Sequence, residues 1–485
     1  MPSSPTQRKQ IHNLPVLHLH IESNAHNFYK QNSAAMNIEI LETKLISSSP
    51  SSLQFDPLPL SHLDNDANLR IPFRTLRAFA GGSSQSTADP SATIAAALSK
   101  ALTFYKPLAA SLRSDPSNFR LHSHLSFPAE VELVVASASD PLHALLRLFD
   151  AEPGSPILDR LAPDANPDEA LARPLALQIT RFACGGFALG MCVHHALCDG
   201  AGASQFLAAI GGLARGSDRP VVDPVWDRSI LLGPRSPPRI ELPLHNLLGF
   251  DGKGRAYDEE GVGLGLVKEC FHVSTARLDR FRSGLANAAG SNFTSFEALG
   301  AYIWRARIKA KKLDSREVVK FVYSMSIKKI AIPQLPNGYW GNSCVPVYIQ
   351  STAKELLEKP VWQIAMEIKK SKEQVTNEYL RSFIDFQELH YRKGITAGKE
   401  VSAFTDWRHL GHSEVDFGWG SPIAVSPLSW RLLGSNEPSF LLPYAESEGE
   451  KRDGFRVLVC LPEDAMASFR LEMEIFGECK FKVPL

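Results

Sequence analysis

Two histidines followed by an aspartate form the part of the sequence best suited to chemistry, His194-His195-Ala-Leu-Cys-Asp199. An imidazole titrates near neutral pH, so it can remove a proton from an alcohol and later return one to a leaving group. The spacing places His195 where a predicted strand ends and a predicted helix begins. A side chain there can face a cleft while regular structure holds its backbone, so His195 is the candidate catalytic residue.

Asp199 has two interpretations that its spacing alone does not separate. Its carboxylate could orient the His195 imidazole, as in hydrolytic triads, or it could bind a nearby arginine or backbone amides and shape the turn. Gly200 follows directly, and we expect it to permit a sharp change in backbone direction. Alternation along a strand turns His194 to the face opposite His195, so we expect His194 to pack or to form hydrogen bonds.

Other chemistries fit these residues less well. A metal could be bound by His194, His195, Cys198 and Asp199 by type, but alternation separates the histidines and no second cluster completes a site, so no metal is expected. Cys198 is more typical of a small buried thiol than of a nucleophile. The sequence has no G-x-S-x-G turn, P-loop or dinucleotide fingerprint. Direct transfer of a group from a bound activated donor therefore fits best.

Hydrophobic periodicity predicts the elements that must position His195. Residues 187–193 alternate as a half-buried strand, and a Gly-Gly turn joins them to a second strand over 178–183. Residues 201–213 show helical periodicity. Further along the chain, Thr294-Ser-Phe-Glu297 has the form of a capping box and predicts the start of a helix. Residues 354–378 are predicted to form one long charged helix.

Composition and length restrict the class of protein. The chain has 485 residues, of which 44% are hydrophobic and 21% charged, values typical of a globular protein with a large core. Lys+Arg and Asp+Glu are both 52, so no net charge favours nucleic acid or an anionic membrane as a partner. Seven cysteines without a C-x-x-C pair favour reduced thiols and a cytoplasmic location.

The chain divides into two predicted domains. Residues 1–36 are polar, and we expect a disordered extension, with an organelle transit peptide as the alternative. Residues 216–243 contain six prolines, which predicts an irregular crossover over 216–250. The N-terminal domain would then cover 37–215 and the C-terminal domain 251–485.

Two motifs taken together resemble those of a known family. His195-Ala-Leu-Cys-Asp199 matches HxxxD, and Asp416-Phe-Gly-Trp-Gly420 matches DFGWG. The second motif alone could be a strand-end turn with aromatic packing. In this order, the two resemble the signatures of the plant BAHD acyltransferases, which move an acyl group from coenzyme A to an alcohol or amine. The similarity runs from about residue 37 to the C-terminus.

The resemblance implies a fold and a mechanism. The fold is mixed α/β (α+β), with two similar chloramphenicol-acetyltransferase-like domains, a long crossover and a solvent channel between the domains. His195 would be the general base in the channel. Acyl-CoA would enter as a co-substrate, with no bound cofactor and no metal.

The resemblance also assigns roles to other residues. Structural roles fall to Asp199, Gly200, Asp416 and Gly418. Thr405 and Trp407 become candidates for stabilising the tetrahedral oxyanion, and Thr294 and Ser295 for contacting coenzyme A.

One stretch departs from the family pattern. The family usually has D-x-R-x-R where this chain has Ser326-Ile-Lys-Lys-Ile330, so Lys328 replaces an arginine. We predict that Lys328 keeps that arginine's ion pair with Asp416. Because lysine lacks the planar fork of arginine, Asp416 should also rely on backbone amides of its own glycine-rich turn.

The predicted function is a cytoplasmic, monomeric acyl-CoA-dependent O-acyltransferase of plant specialised metabolism. Its acceptor would be a small alcohol, such as the phenylpropanoid coniferyl alcohol, with no nucleic-acid or membrane partner. One alternative is an amine acceptor, which gives a hydroxycinnamoyl-type amide. A condensation domain also carries HHxxxDG, but the DFGWG motif argues against it. A non-catalytic metabolite-binding homologue is disfavoured because His195 and Gly200 are retained.

Overall fold

Two six-stranded sheets form the framework of the protein in a computed structural model. The structure describes residues 36–48, 57–81, 89–116, 120–124, 130–231, 233–250, 257, 265–412, 414–444 and 453–476. Residues from Ile38 onward form one compact unit. The predicted disordered extension, 1–36, lies outside the described residues except for Met36. The mixed α/β fold with two sheet-containing domains is confirmed.

The described strands, in chain order, are β1 Ile38–Ser47, β2 Leu58–Pro59, β3 Pro72–Phe79, β4 Ser111–Ser114, β5 Leu121–His124, β6 Glu130–Ala138, β7 Leu175–Phe182, β8 Phe187–His194, β9 Gly249–Phe250, β10 Leu266–Val273, β11 Val318–Ser326, β12 Cys344–Thr352, β13 Ile395–Thr396, β14 Val401–Asp406, β15 Ala424–Pro427, β16 Ser439–Pro443 and β17 Phe455–Pro462. The described α-helices are α1 Pro90–Ala101, α2 Leu142–Ala151, α3 Pro156–Asp159, α4 Pro167–Ala172, α5 Gly200–Ala214, α6 Leu244–Leu247, α7 Thr275–Ala289, α8 Ser295–Lys311, α9 Ala353–Glu358, α10 Val361–Glu373, α11 Asn377–His390 and α12 Glu463–Glu474.

The first sheet has the order β1-β6-β7-β8-β3-β15, and β8 lies inside it. Every residue of β8 is buried, because both of its faces are covered, so the prediction of a half-buried strand is wrong. One face contributes Leu189 and Met191 to a core shared with α1 and α5. On the other face a Cβ at Gly190 would lie 2.2 Å from the carbonyl oxygen of Leu161. The sheet therefore needs glycine there to admit the backbone of 161–162.

The second sheet has the order β10-β17-β16-β14-β11-β12. β14 runs parallel to both β11 and β16, whereas the other neighbours are antiparallel. Its core is covered by α8, whose buried face includes the fully buried Trp304, and by α10. The predicted long helix over 354–378 is wrong, because Pro360 separates α9 from α10. Proline cannot donate the backbone hydrogen bond that a continuous helix needs.

One strand from the second half of the sequence belongs to the first sheet. β15 comes late in the chain, yet it pairs with β3 at the edge of the first sheet, from Ala424 opposite Ala78 to Pro427 opposite Thr75. The crossover is largely irregular in its described part, with a short 3-10 helix at Ser229–Leu231 followed by α6 and β9. The domain limits at 215 and 251 remain a prediction. In the described part of the chain, no helix has both the length and the apolar character to cross a bilayer.

Arg228 fixes the crossover to both halves of the fold. Its side chain is fully buried and forms an ion pair of 3.1 Å with the equally buried Asp64. It also donates hydrogen bonds to the carbonyl oxygens of Trp340 and Leu197 at 2.6 and 3.2 Å. A Cβ at Gly341 would lie 2.8 Å from this guanidinium. The buried charge is both paired and hydrogen-bonded. Through these contacts Arg228 connects the crossover to the segment that follows His195.

Candidate active site

A central channel, a cavity of about 510 Å³, lies between the two halves of the fold. One wall comes from β3, β8 and the start of α5, and the other comes from β11, β14 and α11. Most of its lining is aromatic or aliphatic, including Phe73, Phe383, Phe404 and Trp407. A cavity of this size and character can hold a small organic molecule.

His195 lies in the wall of this channel, one residue beyond the end of β8. Its backbone N–H donates to the carbonyl oxygen of Ile71 at 2.9 Å, and its own carbonyl oxygen accepts from the Asn342 side-chain amide at 3.0 Å. The Phe73 ring packs nearly perpendicular to the imidazole, with the ring centres 5.5 Å apart. The two hydrogen bonds hold the backbone of His195 on both sides, and the Phe73 ring packs against its imidazole.

The surroundings keep the His195 imidazole neutral. Burial lowers its pKa below the usual histidine range, and the negative charge of Asp199 partly opposes this effect. Its Nδ1 atom is buried and has no hydrogen-bond partner among the described residues. The lowered pKa keeps the imidazole in the unprotonated form that a general base needs at neutral pH.

The Asp199 carboxylate binds backbone and hydroxyl groups rather than the imidazole. Oδ1 caps α5 by accepting from the Gly202 N–H at 2.9 Å. Oδ2 accepts from the Ser343 N–H at 3.0 Å and from the Ser343 hydroxyl at 2.9 Å. The Cys344 thiol lies 3.6 Å from the same oxygen. The geometry is that of a helix cap tied to the segment before β12.

Gly200 does not serve the purpose expected from the sequence. The backbone does change there, from extended at Asp199 to helical at Gly200, but Gly200 is absent from the glycines with a positive φ, so the change does not itself require glycine. Instead, its missing side chain leaves room, since a Cβ would lie 3.1 Å from Leu410 and 3.5 Å from His412 Nε2. The glycine therefore lets the channel wall close against the start of α5.

His194 packs away from the channel. Its side chain is buried, and its Nδ1 accepts from the Ala196 N–H at 3.3 Å. Burial, followed by the neighbouring His195 and Arg70, lowers the pKa of His194 to about 3. This side chain therefore stays neutral.

Neither the metal nor the thiol alternative finds support in the geometry. Among the described residues, no group of three or more His, Cys, Asp and Glu side chains could hold a metal ion. Burial, reinforced by Asp199, raises the pKa of the Cys198 thiol far above its usual range. The thiolate needed for a nucleophile is therefore disfavoured at that position.

Thr405 and Trp407 both line the channel, at the end of β14 and just beyond it. Trp407 completes an aromatic row, with its ring centre 6.1 Å from that of Phe73 and 4.6 Å from that of His412. The row continues through Phe73 to His195. Thr405 and Trp407 therefore lie in the same cavity as the imidazole.

Thr294 and Ser295 lie at the start of α8 and are not among the residues that line the channel. Thr294 forms the predicted capping box, since its hydroxyl accepts from the Glu297 N–H at 3.2 Å while the Glu297 carboxylate accepts from the Thr294 N–H at 2.8 Å. Their neighbours Phe296 and Lys372 do reach the channel wall. The helix start therefore lies beside the channel and not in it.

The predicted ion pair between Asp416 and Lys328 is wrong. Asp416 lies against α5, where its Oδ2 is 3.7 Å from Arg215 and its backbone carbonyl accepts from the same guanidinium. Its Oδ1 accepts from the N–H groups of Gly418 and Gly420 at 2.7 and 2.9 Å, as the expected use of backbone amides requires. Lys328 instead lines the channel. Sequence reasoning could not find Arg215, because the contact depends on how the motif packs on α5.

A buried cation behind the channel-lining residues Thr75 and His412 was not predicted from the sequence. Arg77 is fully buried, and burial lowers its pKa to about 9. Its guanidinium donates to His412 Nδ1 at 2.8 Å and to the Thr75 hydroxyl at 3.0 Å. The Ser204 hydroxyl also lies 2.7 Å from His412 Nδ1. Because arginine can only donate, Nδ1 must accept and the His412 proton must be on Nε2.

Comparison with known proteins adds a decisive observation to this geometry. A family model described as Transferase family matches residues 36–476 of the chain, a span that contains both signature motifs. The chain belongs to the BAHD acyltransferase family. Its fold is shared with vinorine synthase, whose crystal structure aligns with a TM-score of 0.69 and 22% identity, covering 91% of this chain and 98% of that one.

The relatives of this BAHD protein include enzymes named for acyl transfer to nitrogen and enzymes named for acyl transfer to oxygen. The 3'-N-debenzoyl-2'-deoxytaxol N-benzoyltransferase of Taxus canadensis is 32% identical over 423 residues, which are 86% of this chain and 92% of the relative. The taxadien-5-alpha-ol O-acetyltransferase of Taxus cuspidata is 30% identical over 446 residues, covering 90% and 97%. The family therefore includes both N- and O-acyltransferases at similar identity to this chain.

Three residues that support the site of this BAHD protein carried no assigned role in the sequence. Asn342 donates both to the His195 carbonyl oxygen, at 3.0 Å, and to Asp64 Oδ1, at 2.9 Å. Asp66, two residues after Asp64, lines the channel itself. The only sequence signal was a Gly-Asn pair and an acidic turn before β3, and neither reveals which side chains meet across the fold.

Proposed function

We propose that this BAHD protein transfers an acyl group from coenzyme A to a small alcohol, with His195 as the general base. The observation that carries the proposal is the buried imidazole held just beyond a strand end in the wall of a largely apolar channel, where burial lowers its pKa. An apolar channel excludes water, which would otherwise compete with the acceptor for the thioester.

The chemistry follows from the position of the imidazole. His195 takes the proton of the acceptor hydroxyl, and the oxygen attacks the thioester carbonyl carbon, forming the new C–O bond. Thr405 and Trp407 are proposed to stabilise the tetrahedral oxyanion, a role worth ~2.7–4 kcal/mol per good donor. Collapse of the intermediate breaks the C–S bond, and the imidazolium returns its proton to the coenzyme A thiolate.

Supporting roles are proposed for the other motif residues. Asp199 would hold His195 in place by capping α5 and binding Ser343, and Asp416 would fix the DFGWG turn against α5. Thr294 and Ser295 are proposed to contact coenzyme A near the channel wall formed by Phe296 and its neighbours.

The proposed acceptor is an aromatic alcohol of the phenylpropanoid type, such as coniferyl alcohol. The aromatic lining, which includes Phe73, Phe404 and Trp407, supports a planar apolar acceptor. We further propose a cytoplasmic monomer. Size-exclusion chromatography and cell fractionation test those two statements, and a stable dimer or an organelle-bound pool would contradict them.

A second candidate is transfer to an amine, giving an amide. The specific observation in its favour is the carboxyl group of Asp66 in the channel wall, which can attract a cationic acceptor. The identity to an N-acyltransferase and to an O-acyltransferase is nearly equal, so sequence similarity does not choose between an amine and an alcohol acceptor. One experiment tests both.

The experiment incubates the full chain with acetyl-, benzoyl- and coumaroyl-CoA and with coniferyl alcohol, benzyl alcohol and spermidine. Free coenzyme A and product masses are recorded. We expect ester products, and His195→Ala should fold normally yet lower turnover by roughly 10²- to 10⁴-fold. The same change at the exposed His143 serves as the control. A folded His195→Ala protein with near-normal turnover would refute the mechanism, and amides as sole products would refute the alcohol acceptor.

A further inference from the structure

Strand β3 leads from His195 to the buried side chain of Arg77. Side chains two residues apart face the same side of a strand, so Phe73, Thr75 and Arg77 share one face of β3. Phe73 packs against His195, and Thr75 lines the channel, whereas Arg77 is fully buried and is not part of the lining. At ~3.3 Å per residue, Thr75 lies about 7 Å along the strand from Phe73. Along β3 the channel lining therefore stops about 7 Å from the level of His195.

The charge of Arg77 has no carboxylate partner. Its guanidinium donates to the Thr75 hydroxyl at 3.0 Å and to His412 Nδ1 at 2.8 Å, and its Nε has no hydrogen-bond partner among the described residues. None of the described Asp and Glu side chains forms an ion pair with it. The equally buried Arg228 is by contrast paired with Asp64 at 3.1 Å. Because a buried cation without a counter-charge is costly, packing alone would be served better by an apolar side chain.

His412 lies between this charge and the channel. Its side chain is 1% exposed, yet it belongs to the channel lining. Since Nδ1 accepts from Arg77, the proton is on Nε2, and a cation bound at Nδ1 polarises the ring and makes the Nε2–H a stronger donor. The Ser204 hydroxyl, 2.7 Å from Nδ1, and the Trp407 ring, with its centre 4.6 Å from that of the imidazole, hold the ring in this orientation.

The Nε2–H group of His412 is a buried donor that has no acceptor among the described residues. Buried donors of this kind are rare in native proteins. A Cβ at Gly200 would lie 3.5 Å from this nitrogen and 3.1 Å from Leu410, and both Gly200 and Leu410 line the channel. The missing side chain of Gly200 therefore leaves a space beside Nε2 that an atom of a ligand can occupy.

We propose that His412 is a specificity residue whose Nε2–H binds an oxygen at the far end of an aromatic substrate while the reacting end lies at His195. The oxygen is that of a phenol-type hydroxyl, which accepts a hydrogen bond without carrying a charge. In a phenylpropanoid unit a ring and a propenyl chain separate this oxygen from the reacting end, which suits the ~7 Å between the levels of His195 and Thr75. The inference rests on the proposed acyl transfer at His195. The oxygen can belong to the acyl group or to the acceptor.

The test uses two pairs of substrates that differ only in the para hydroxyl. Coumaroyl-CoA and cinnamoyl-CoA are compared as donors with benzyl alcohol, and para-hydroxycinnamyl alcohol and cinnamyl alcohol are compared as acceptors with acetyl-CoA. Values of kcat and KM are measured for wild type and for His412→Asn. The asparagine oxygen can still accept from Arg77 near the Nδ1 position, but the variant has no donor at the Nε2 position. His143→Asn is the matched control, because His143 is exposed on α2.

Wild type should prefer the hydroxylated member of one pair by about 10- to 100-fold in kcat/KM, mainly through KM, since the other member leaves a buried donor unpaired. His412→Asn should remove this preference and leave the unhydroxylated member unchanged, and His143→Asn should resemble wild type. A preference among the donors assigns the oxygen to the acyl group, and a preference among the acceptors assigns it to the acceptor. The inference is overturned if wild type shows no preference, if the preference persists in His412→Asn, or if both members lose equally.

A second variant tests the same space without changing the imidazole. Gly200 is helical and has no positive φ, so Gly200→Ala is compatible with the backbone. The added Cβ would occupy the space beside Nε2 and leave the contact between Arg77 and His412 intact. The preference should fall as in His412→Asn. If His412→Asn does not fold, an undiminished preference in Gly200→Ala still refutes the site.

A binding measurement separates this inference from the proposed function. Thermal unfolding is recorded with each of the two donors and the two acceptors added singly. If no product forms in any mixture, but a hydroxylated member stabilises wild type more than its partner does and His412→Asn removes the difference, the oxygen site stands and the proposed reaction fails. If products form and both members of each pair are used equally well, the proposed function stands and the oxygen site is refuted.

Discussion

The Asp199 carboxylate accepts a hydrogen bond from the Ser343 hydroxyl at 2.9 Å. Its partner oxygen caps α5, so one side chain joins the helix that follows His195 to the segment before β12. No hydrogen bond between this carboxylate and the imidazole is present in the described structure. The link is between two chain segments and not between two members of a proton relay.

Asp199→Asn should therefore act on stability more than on chemistry. The asparagine oxygen can replace only one of the two acceptors, and its NH₂ group would then face the Ser343 N–H, a donor against a donor. We expect a loss of ~1–3 kcal/mol in the free energy of unfolding, with turnover of the folded fraction close to wild type. Urea unfolding and active-site-normalised kcat measure the two effects. An unchanged melting temperature with turnover as low as in His195→Ala would establish a catalytic dyad instead.

The pH dependence of turnover should report the lowered pKa of His195. The neutral imidazole is the active form, so kcat/KM should rise with pH and level off below the usual histidine range, since burial lowers this pKa. The charge of Asp199 raises the same pKa, so Asp199→Asn should move the acid limb to still lower pH. Benzyl alcohol is the acceptor of choice, because it carries no group that titrates in this range. An acid limb at or above the ordinary histidine value would contradict the assignment.

The Arg77–His412 pair offers a test by double substitution. His412→Leu removes the acceptor of a fully buried guanidinium and should cost ~3–5 kcal/mol in the free energy of unfolding, as for a stranded buried charge. Arg77→Leu in the same protein removes that charge. The double variant should then be more stable than His412→Leu alone. Additive losses in urea unfolding would show that the two side chains are not coupled.

The role of Asp416 can be resolved with a pair of substitutions at one position. Asp416→Asn keeps the oxygen that binds the Gly418 and Gly420 amides, and it loses only a part-exposed ion pair with Arg215. We expect a change of less than ~1 kcal/mol. Asp416→Ala loses the oxygen and should cost ~1–3 kcal/mol and lower the soluble yield.

Lys328→Ala is the control for Asp416→Ala, because the sequence predicts an ion pair between these two residues. It should leave the melting temperature unchanged. Equal destabilisation by Lys328→Ala and Asp416→Ala would restore the pairing that the structure contradicts.

The local sequence pattern was sufficient to predict the two strands and the helix that hold His195. The alternation over 187–193 and the Gly-Gly turn before it predicted the β7–β8 hairpin, because a strand buried on a sheet and a tight turn each leave a short-range signature. The helix after Asp199 was predicted for the same reason. Family resemblance then supplied the role of the imidazole, which periodicity alone could not.

Contacts between distant segments were beyond such reasoning. Arg215 and Asp416 meet because α5 has glycine at 211, where a Cβ would lie 2.3 Å from the Asp416 carbonyl oxygen. Nothing near either residue in the sequence reveals that approach. Asn342 and Asp66 were missed likewise, since each acquires its place in the channel only when the two halves meet. The single helix predicted over 354–378 differs from these cases, because its failure has a local cause in the sequence. Pro360 is a helix breaker, and the charged pattern on either side of it does not outweigh that effect.

The late position of β15 in the chain has a consequence for biosynthesis. As the polypeptide leaves the ribosome, β3 emerges with the first sheet, but the strand that covers its outer edge is not made until residue 427. An uncovered edge offers unpaired backbone groups to any other nascent chain. We therefore expect an incomplete chain to need binding by chaperones until only about the last eighth of the chain remains to be translated. A messenger truncated before residue 424 should yield insoluble protein even though every residue of the HxxxD motif is present, because such a chain lacks both the edge strand of the first sheet and β16 and β17 of the second.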